Sequence, residues 1–249
     1  MMDKKLEKFL QQKFQLYCQE EFITTDPIQI PHLFHQKQDI EIAGLLTSTI
    51  AWGKRKSIIK NAHQIMEIMD FSPYDFIIHG RLKDFEKATN FVHRTFNYLD
   101  LTYFFKALKK LYFGAESLED YFLIKAEEPN TFHAIERFRE KFLFEPDFRT
   151  QKHISSPAKN SAAKRLNMFL RWMVRDNPVD FGLWKKIPKE KLIIPLDVHS
   201  GRVARSLNLL QRKANDWKSA EFLTNELKKY DAKDPVKFDF ALFGMGAFE

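Results

Sequence analysis

Glycine is scarce and phenylalanine abundant: the 249-residue chain holds 8 Gly against 25 Phe. A many-stranded β fold leans on glycine at its tight turns. Here, instead, apolar residues recur every three or four positions, the spacing of one helix face. Residues 3–22 show the pattern, with Leu6, Phe9, Leu10, Phe14 and Tyr17 on one side. An all-α fold is therefore expected. Hydrophobic residues make up 44% of the chain, enough for a packed core rather than disorder. The length suits one large domain or two small lobes.

Turn and cap residues predict the elements. Asp26-Pro27 and Pro31 end the first helix. Asp39 reads as the N-cap of a helix over 40–52, with Gly53 at its left-handed C′ position. A helix follows over 57–69, and Ser72-Pro73 starts a short one. Residues 85–145 are helices rich in Phe and Tyr, whose aromatic stripe reads as core. Residues 145–160 read as a loop. From Ser161 a helix puts Leu166, Phe169, Leu170, Met173 and Val174 on its apolar face, with Lys164, Arg171 and Arg175 opposite. An irregular connector spans 176–191. Asp197 caps a helix through Leu210, a further helix covers 218–230, and Asp234-Pro235 opens the last one, through Phe243.

The charge is unevenly placed. Residues 1–150 carry 21 Lys and Arg against 22 Asp and Glu, whereas 151–213 carry 14 against 4. The net of +7 therefore comes from the segment around Lys164 and Asp197. Such a field suits a polyanion, nucleic acid above all, although a solvated face would show the same count. The lone cysteine, Cys18, excludes a disulfide framework, a four-cysteine zinc site and a four-cysteine iron–sulfur cluster. No cofactor and no metal site are expected, and a reducing cytoplasm is the expected location. The first residues lack the apolar run of a signal peptide, and no segment approaches the roughly 18 apolar residues that span a bilayer.

Three features carry possible chemistry. Lys164 is a nucleophile if its amine is free and positioned, and otherwise a solvated lysine. Asp197 is a helix cap whose carboxylate, held by backbone amides, also suits stabilising positive charge or moving a proton. Ser155-Ser156-Pro157-Ala158-Lys159-Asn160-Ser161 forms a turn before Lys164, with Asn160 tolerating positive φ and Ser161 suited to capping.

On these residues the chain resembles the helix-hairpin-helix DNA glycosylase superfamily, and within it the archaeal-type 8-oxoguanine glycosylases. It is also similar to a bacterial family without an assigned function. Lys164 matches the lysine that opens the second hairpin helix. Leu196-Asp197-Val198-His199 matches the motif around the downstream aspartate, 33 residues on, a connector as long as in the archaeal-type group. Two departures stand out: the Gly-hydrophobic-Gly hairpin is absent, with Asn160 where one glycine is expected, and the cluster-binding cysteines are missing.

The resemblance implies a two-lobed helical bundle with a cleft between the lobes. One lobe covers about 39–150; the other covers about 151–249 together with the N-terminal helix. It implies Lys164 and Asp197 as catalytic residues and Trp52, Asp239 and Phe243 as the pocket for a flipped base. Lys159, Asn160, Ser161, Arg165, His199 and Arg202 are the implied DNA contacts. The partner would be duplex DNA with a damaged base, the chain a monomer, and the chemistry Schiff-base excision. A helical DNA- or RNA-binding protein on the same scaffold, without chemistry, is the alternative.

Overall fold

The computed structural model describes residues 3–144 and 149–249, apart from the side chains of Leu82 and Glu86. Within the loop expected at 145–160, residues 145–148 lie outside the described residues. The rest of it holds two 3-10 turns, Thr150–His153 and Pro157–Lys159.

Asp3 starts helix α1 (Lys4–Tyr17), its carboxylate accepting from the Lys5 and Leu6 amides at 2.9 and 3.2 Å. The single helix expected over 3–22 is in fact two. Cys18 still donates to the Phe14 carbonyl, but its ψ of 65° leaves the helical region, and α2 (Glu20–Thr25) follows. Next come α3 (Lys37–Thr49), α4 (Arg55–Ile68), α5 (Pro73–His79) and α6 (Leu82–Phe85). Strands β1 (Val92–His93) and β2 (Phe96–Asn97) precede α7 (Tyr98–Gly114) and α8 (Phe132–Phe142). The remaining helices are α9 (Lys164–Val174), α10 (Val198–Ser206), α11 (Trp217–Leu227) and α12 (Asp239–Phe248). The fold is all-α but for the small antiparallel β1–β2 pair, in which Val92 faces Asn97 and His93 faces Phe96. Strands of two residues are too short to show an alternating pattern.

The chain forms two compact units. Residues 23–122 and 137–154 make one; residues 1–22, 123–136 and 155–249 make the other. Segment 123–136 thus joins the unit that holds the N-terminal helix, and 23–38 and 151–154 join the other.

In the first unit α3 is the central element, buried from Ile40 to Thr49. Its Glu41 is fully buried and satisfied: Tyr112 and Ser117 hydroxyls donate to it at 2.8 and 2.5 Å, and the Leu118 amide at 3.0 Å. Asp39 does not cap α3. It lies in the first turn and accepts from the Tyr74 amide at 2.8 Å, so it caps α5 across the unit instead. Gly53 has the expected positive φ, 105°, but α3 has already ended at Thr49, so it is not that helix's C′ residue. Most of the aromatic stripe is core. Phe104 meets Phe142 at 4.7 Å between ring centres, and Phe122 stacks on Phe138 at 4.2 Å. Tyr98 and Phe113 are exposed.

In the second unit α12 is buried along most of its length, and two glycines let its neighbours close in. A Cβ at Gly244 would stand 2.2 Å from the Tyr17 ring, and one at Gly246 would stand 2.9 Å from His199. Boundaries here differ from expectation: α9 starts at Lys164 rather than Ser161, α10 stops at Ser206, α11 stops at Leu227, and α12 starts after a 3-10 turn over Pro235–Phe238 and runs on to Phe248. Among the described residues no helix is long and apolar enough to cross a membrane.

Candidate active site

The turn before Lys164 is tied down from both sides. Ser156 accepts from the Lys159 amide at 3.2 Å and donates to Glu136 at 2.7 Å. Asn160 takes the left-handed conformation, φ 59°, as its residue type allows. Its side chain donates to Asp216 at 3.1 Å, and its carbonyl accepts from the Trp217 amide at 3.3 Å. Burial opposes charge on Asp216. The Ser219 amide and hydroxyl, Arg212 and Asn160 outweigh it and hold the carboxyl down at about 2. Ser161 is not the cap of α9. It pairs with Asp216 across an isolated bridge, and its hydroxyl accepts from the Ala163 amide at 3.2 Å. The cap position belongs to Ala163, itself left-handed at φ 45° and making no side-chain cap bond. That costs an alanine roughly 1–2 kcal/mol relative to right-handed backbone, and it aims the first turn of α9.

Lys164 is thus the first residue of α9, and its side chain is 28% exposed. Its Nζ lies 3.9 Å from Asp197 Oδ2. The two oxygens of Asp197 divide the work. Oδ1 accepts from the Ser200 amide and hydroxyl at 2.9 and 3.1 Å, closing a capping box as Ser200 Oγ accepts from the Asp197 amide. Oδ2 is left to face the lysine. Asn215 braces the same residue, donating to the Asp197 carbonyl at 3.0 Å, and Arg205 holds Asn215 at 2.7 Å. Neither Asn215 nor Arg205 was a candidate from sequence. The signal available was Gly201, which stands between them and would clash with both if it carried a Cβ.

Asp239, at the start of α12, is 4% exposed and receives Arg171 Nη1 at 2.6 Å. Burial pushes its carboxyl up to about 6. Arg171 and Lys164 pull it down, and the Asp197 charge adds to the rise. The two aspartates therefore share one electrostatic site with Lys164. For stability the sign is definite. The folded pKa lies above the unfolded value of 3.8, so folding holds the proton more tightly, and stability falls as pH rises from about 4 to 6. The span is on the order of 3 kcal/mol. Asp239→Asn should flatten this slope in denaturant titrations at pH 4 and pH 7. An unchanged slope would show that Asp239 does not titrate there.

Arg171 and Arg175 correct the expectation of a basic surface. They are 4% and 2% exposed. Arg171 reaches Asp180 at 3.2 Å as well as Asp239, and its guanidinium lies 4.3 Å over the Phe240 ring. Arg175 binds Asp180 at 2.7 Å and Asp234 with two nitrogens, at 2.9 and 3.0 Å. Asp234 accordingly makes no side-chain cap for the turn that follows it. The positive charge counted in this segment is partly internal, spent on buried aspartates rather than shown to solvent.

The other candidates divide. Lys159 is exposed, while Arg165 is half-buried and burial lowers its guanidinium to about 10. His199 and Arg202 are exposed, but both bond the Gly246 carbonyl, at 2.8 and 2.9 Å, and so help dock α10 on α12. Phe243 is half-buried and meets His199 edge-on at 6.1 Å. Trp52 belongs to the other unit. There it stacks on His153 at 5.9 Å, meets the His93 ring edge-on, and its carbonyl lies 3.1 Å from His93 Nε2. Among the described residues no cluster of three or more His, Cys, Asp or Glu is arranged to hold a metal.

A family model described as protein of unknown function (DUF2400) matches residues 26–248, so the chain belongs to that family. No curated protein and no solved structure matches it.

Proposed function

We propose that this family member is a DNA glycosylase with lyase activity, excising a damaged base, an oxidised purine above all. The observation that carries the reading is the convergence of Lys164 Nζ and Asp197 Oδ2 at 3.9 Å, with the carboxylate fixed by its cap. Asp239 beside them, with Phe243 one turn further on the same helix, supports a pocket for a flipped purine. The left-handed Asn160 in the turn supports a hairpin of the resembled kind.

In this mechanism the target nucleotide leaves the duplex stack. The free Lys164 amine attacks C1′ of the sugar. The glycosidic bond breaks, its electron pair leaves with the base, and the base takes up a proton. Asp197 stabilises the positive charge that develops on the sugar and accepts the proton shed by the amine. The sugar ring opens to a Schiff base between Nζ and C1′. Loss of a C2′ proton expels the 3′ phosphate, and water then hydrolyses the Schiff base to free the enzyme.

Borohydride reduces a Schiff base to a stable amine, so trapping on duplexes with oxidised, alkylated, deaminated or abasic sites tests the proposal. One covalent adduct per chain is expected with at least one substrate. If every substrate is left unmodified, the chain is a nucleic-acid binder without this chemistry.

Asp197→Asn separates cap from charge. Asn ranks with Asp at N-caps, so stability should hold within about 1 kcal/mol. Trapping should slow by roughly 10²-fold, because the negative charge is gone. Full trapping activity in this variant would remove Asp197 from the mechanism.

A further inference from the structure

We infer that the unit of residues 23–122 and 137–154 carries a second cationic surface, built from the start of α4 and the β1–β2 turn, that grips the phosphate backbone of duplex DNA. The choice of DNA rests on the glycosylase reading; the cationic surface does not.

From residue 42 to residue 66 the chain has no Asp or Glu, yet it has Lys54, Lys56 and Lys60. Lys54, Lys56 and Lys60 are exposed, and Lys56 and Lys60, four residues apart, share one helix face. The β1–β2 turn adds a further cation. Arg94 lies in the left-handed region at φ 56°, and its side chain lies over Gly53: a Cβ there would stand 2.8 Å from a guanidinium nitrogen. The hairpin is pinned to α4 by Asn61, which donates to the Val92 carbonyl at 3.3 Å and meets His93 Nδ1 at 2.9 Å. Arg94 is therefore held by the fold over Gly53, the residue before Lys54.

Two physical points favour a nucleic-acid partner. Asn or Gly would make this left-handed turn position at lower cost, so Arg there costs about 1–3 kcal/mol that the surrounding structure must hold. Exposed cations gathered on a stretch of chain without Asp or Glu also repel one another, and a polyanion relieves that repulsion. Residues 54–60 extend roughly 9 Å along the helix, wider than one phosphate. Duplex DNA presents one charge per about 1.7 Å of its axis, so a run of phosphates fits. The whole-segment charge hid this surface, because acidic residues elsewhere in 1–150 cancel it in the sum.

The test is binding of an undamaged 20-base-pair duplex by the full chain across a salt series. Lys54→Gln, Lys56→Gln and Lys60→Gln are combined in one variant, Arg94→Gln is a second, and Lys4→Gln, Lys5→Gln and Lys8→Gln are a charge-matched control. Melting temperature checks that each is folded. The triple variant should lower the slope of log K against log salt by about 0.9 for each lost contact, two to three in all. It should weaken binding at least tenfold at about 0.1 M salt, and Arg94→Gln should lower the slope by about one. The control should bind like wild type. Slopes unchanged from wild type, losses matched by the control, or a preference for RNA over DNA would each overturn the inference. Borohydride trapping at saturating DNA reads the other proposal. Adduct formation with unchanged slopes defeats only the surface, and lowered slopes without any adduct defeat only the chemistry.

Discussion

On the proposed mechanism, replacing Lys164 by Ala should abolish the borohydride adduct and strand cleavage, a loss of roughly 10³-fold or more, as for enzymes that lose a covalent nucleophile. The fold survives the change. The Lys164–Asp197 pair is partly exposed and 3.9 Å apart, and such pairs contribute about 0–1 kcal/mol. Lys164→Arg sharpens the result. It keeps the positive charge, and so should keep the proposed DNA binding, but a guanidinium forms no Schiff base under these conditions. The expected outcome is full binding with no adduct in Lys164→Arg, and slightly weakened binding with no adduct in Lys164→Ala. An adduct of wild-type yield in either variant would place the nucleophile elsewhere in the chain, and mass spectrometry of the reduced peptide would find it.

Arg171→Met is the second large effect, and it falls on stability. Arg171 is enclosed by Asp239 at 2.6 Å, Asp180 at 3.2 Å and the face of Phe240. Methionine fills much of the volume, but two carboxylates lose their shared cation in a site closed to water. Removing one partner of such a network costs about 3–5 kcal/mol, because the remaining charge stays buried. The cost has a pH signature. Burial already holds Asp239 up at about 6, and without Arg171 it rises further, so the proton is taken up more readily on the folded chain. The variant should therefore lose less stability at pH 5 than at pH 8. Combining it with Asp239→Asn should restore part of the loss at pH 8. Denaturant unfolding at the two pH values reads both effects. A loss below about 1 kcal/mol at pH 8 would mean that Arg171 is not the counter-charge the geometry implies.

Much of the local structure was legible before any coordinates. Asp197 and the Ser72-Pro73 start sit where expected, because an aspartate cap and a proline in the first turn are decided within one turn of backbone. Asn160 was readable as left-handed for the same reason. Two of the misplaced caps share one cause. Asp39 and Asp234 stand at plausible helix starts, but their carboxylates are taken by partners far along the chain, Tyr74 and Arg175. Ala163 was invisible, since nothing in an alanine announces a positive φ that surrounding packing imposes. Arg171 and Arg175 were read as a surface stripe from helical spacing. Spacing says that two side chains share a face, not whether that face meets water or a row of aspartates.

By itself the sequence determined that the chain is helical, that a helix carrying Lys164 follows a tight turn, and that Asp197 caps another. These follow from periodicity and from hydrogen bonds within a few residues. Only the tertiary structure decided that the two residues meet, that Asp239 joins them, and that the neighbouring arginines are internal counter-charges. Those facts depend on which distant elements pack together. Packing is set by burial summed over a whole unit, and no short stretch of sequence encodes that sum.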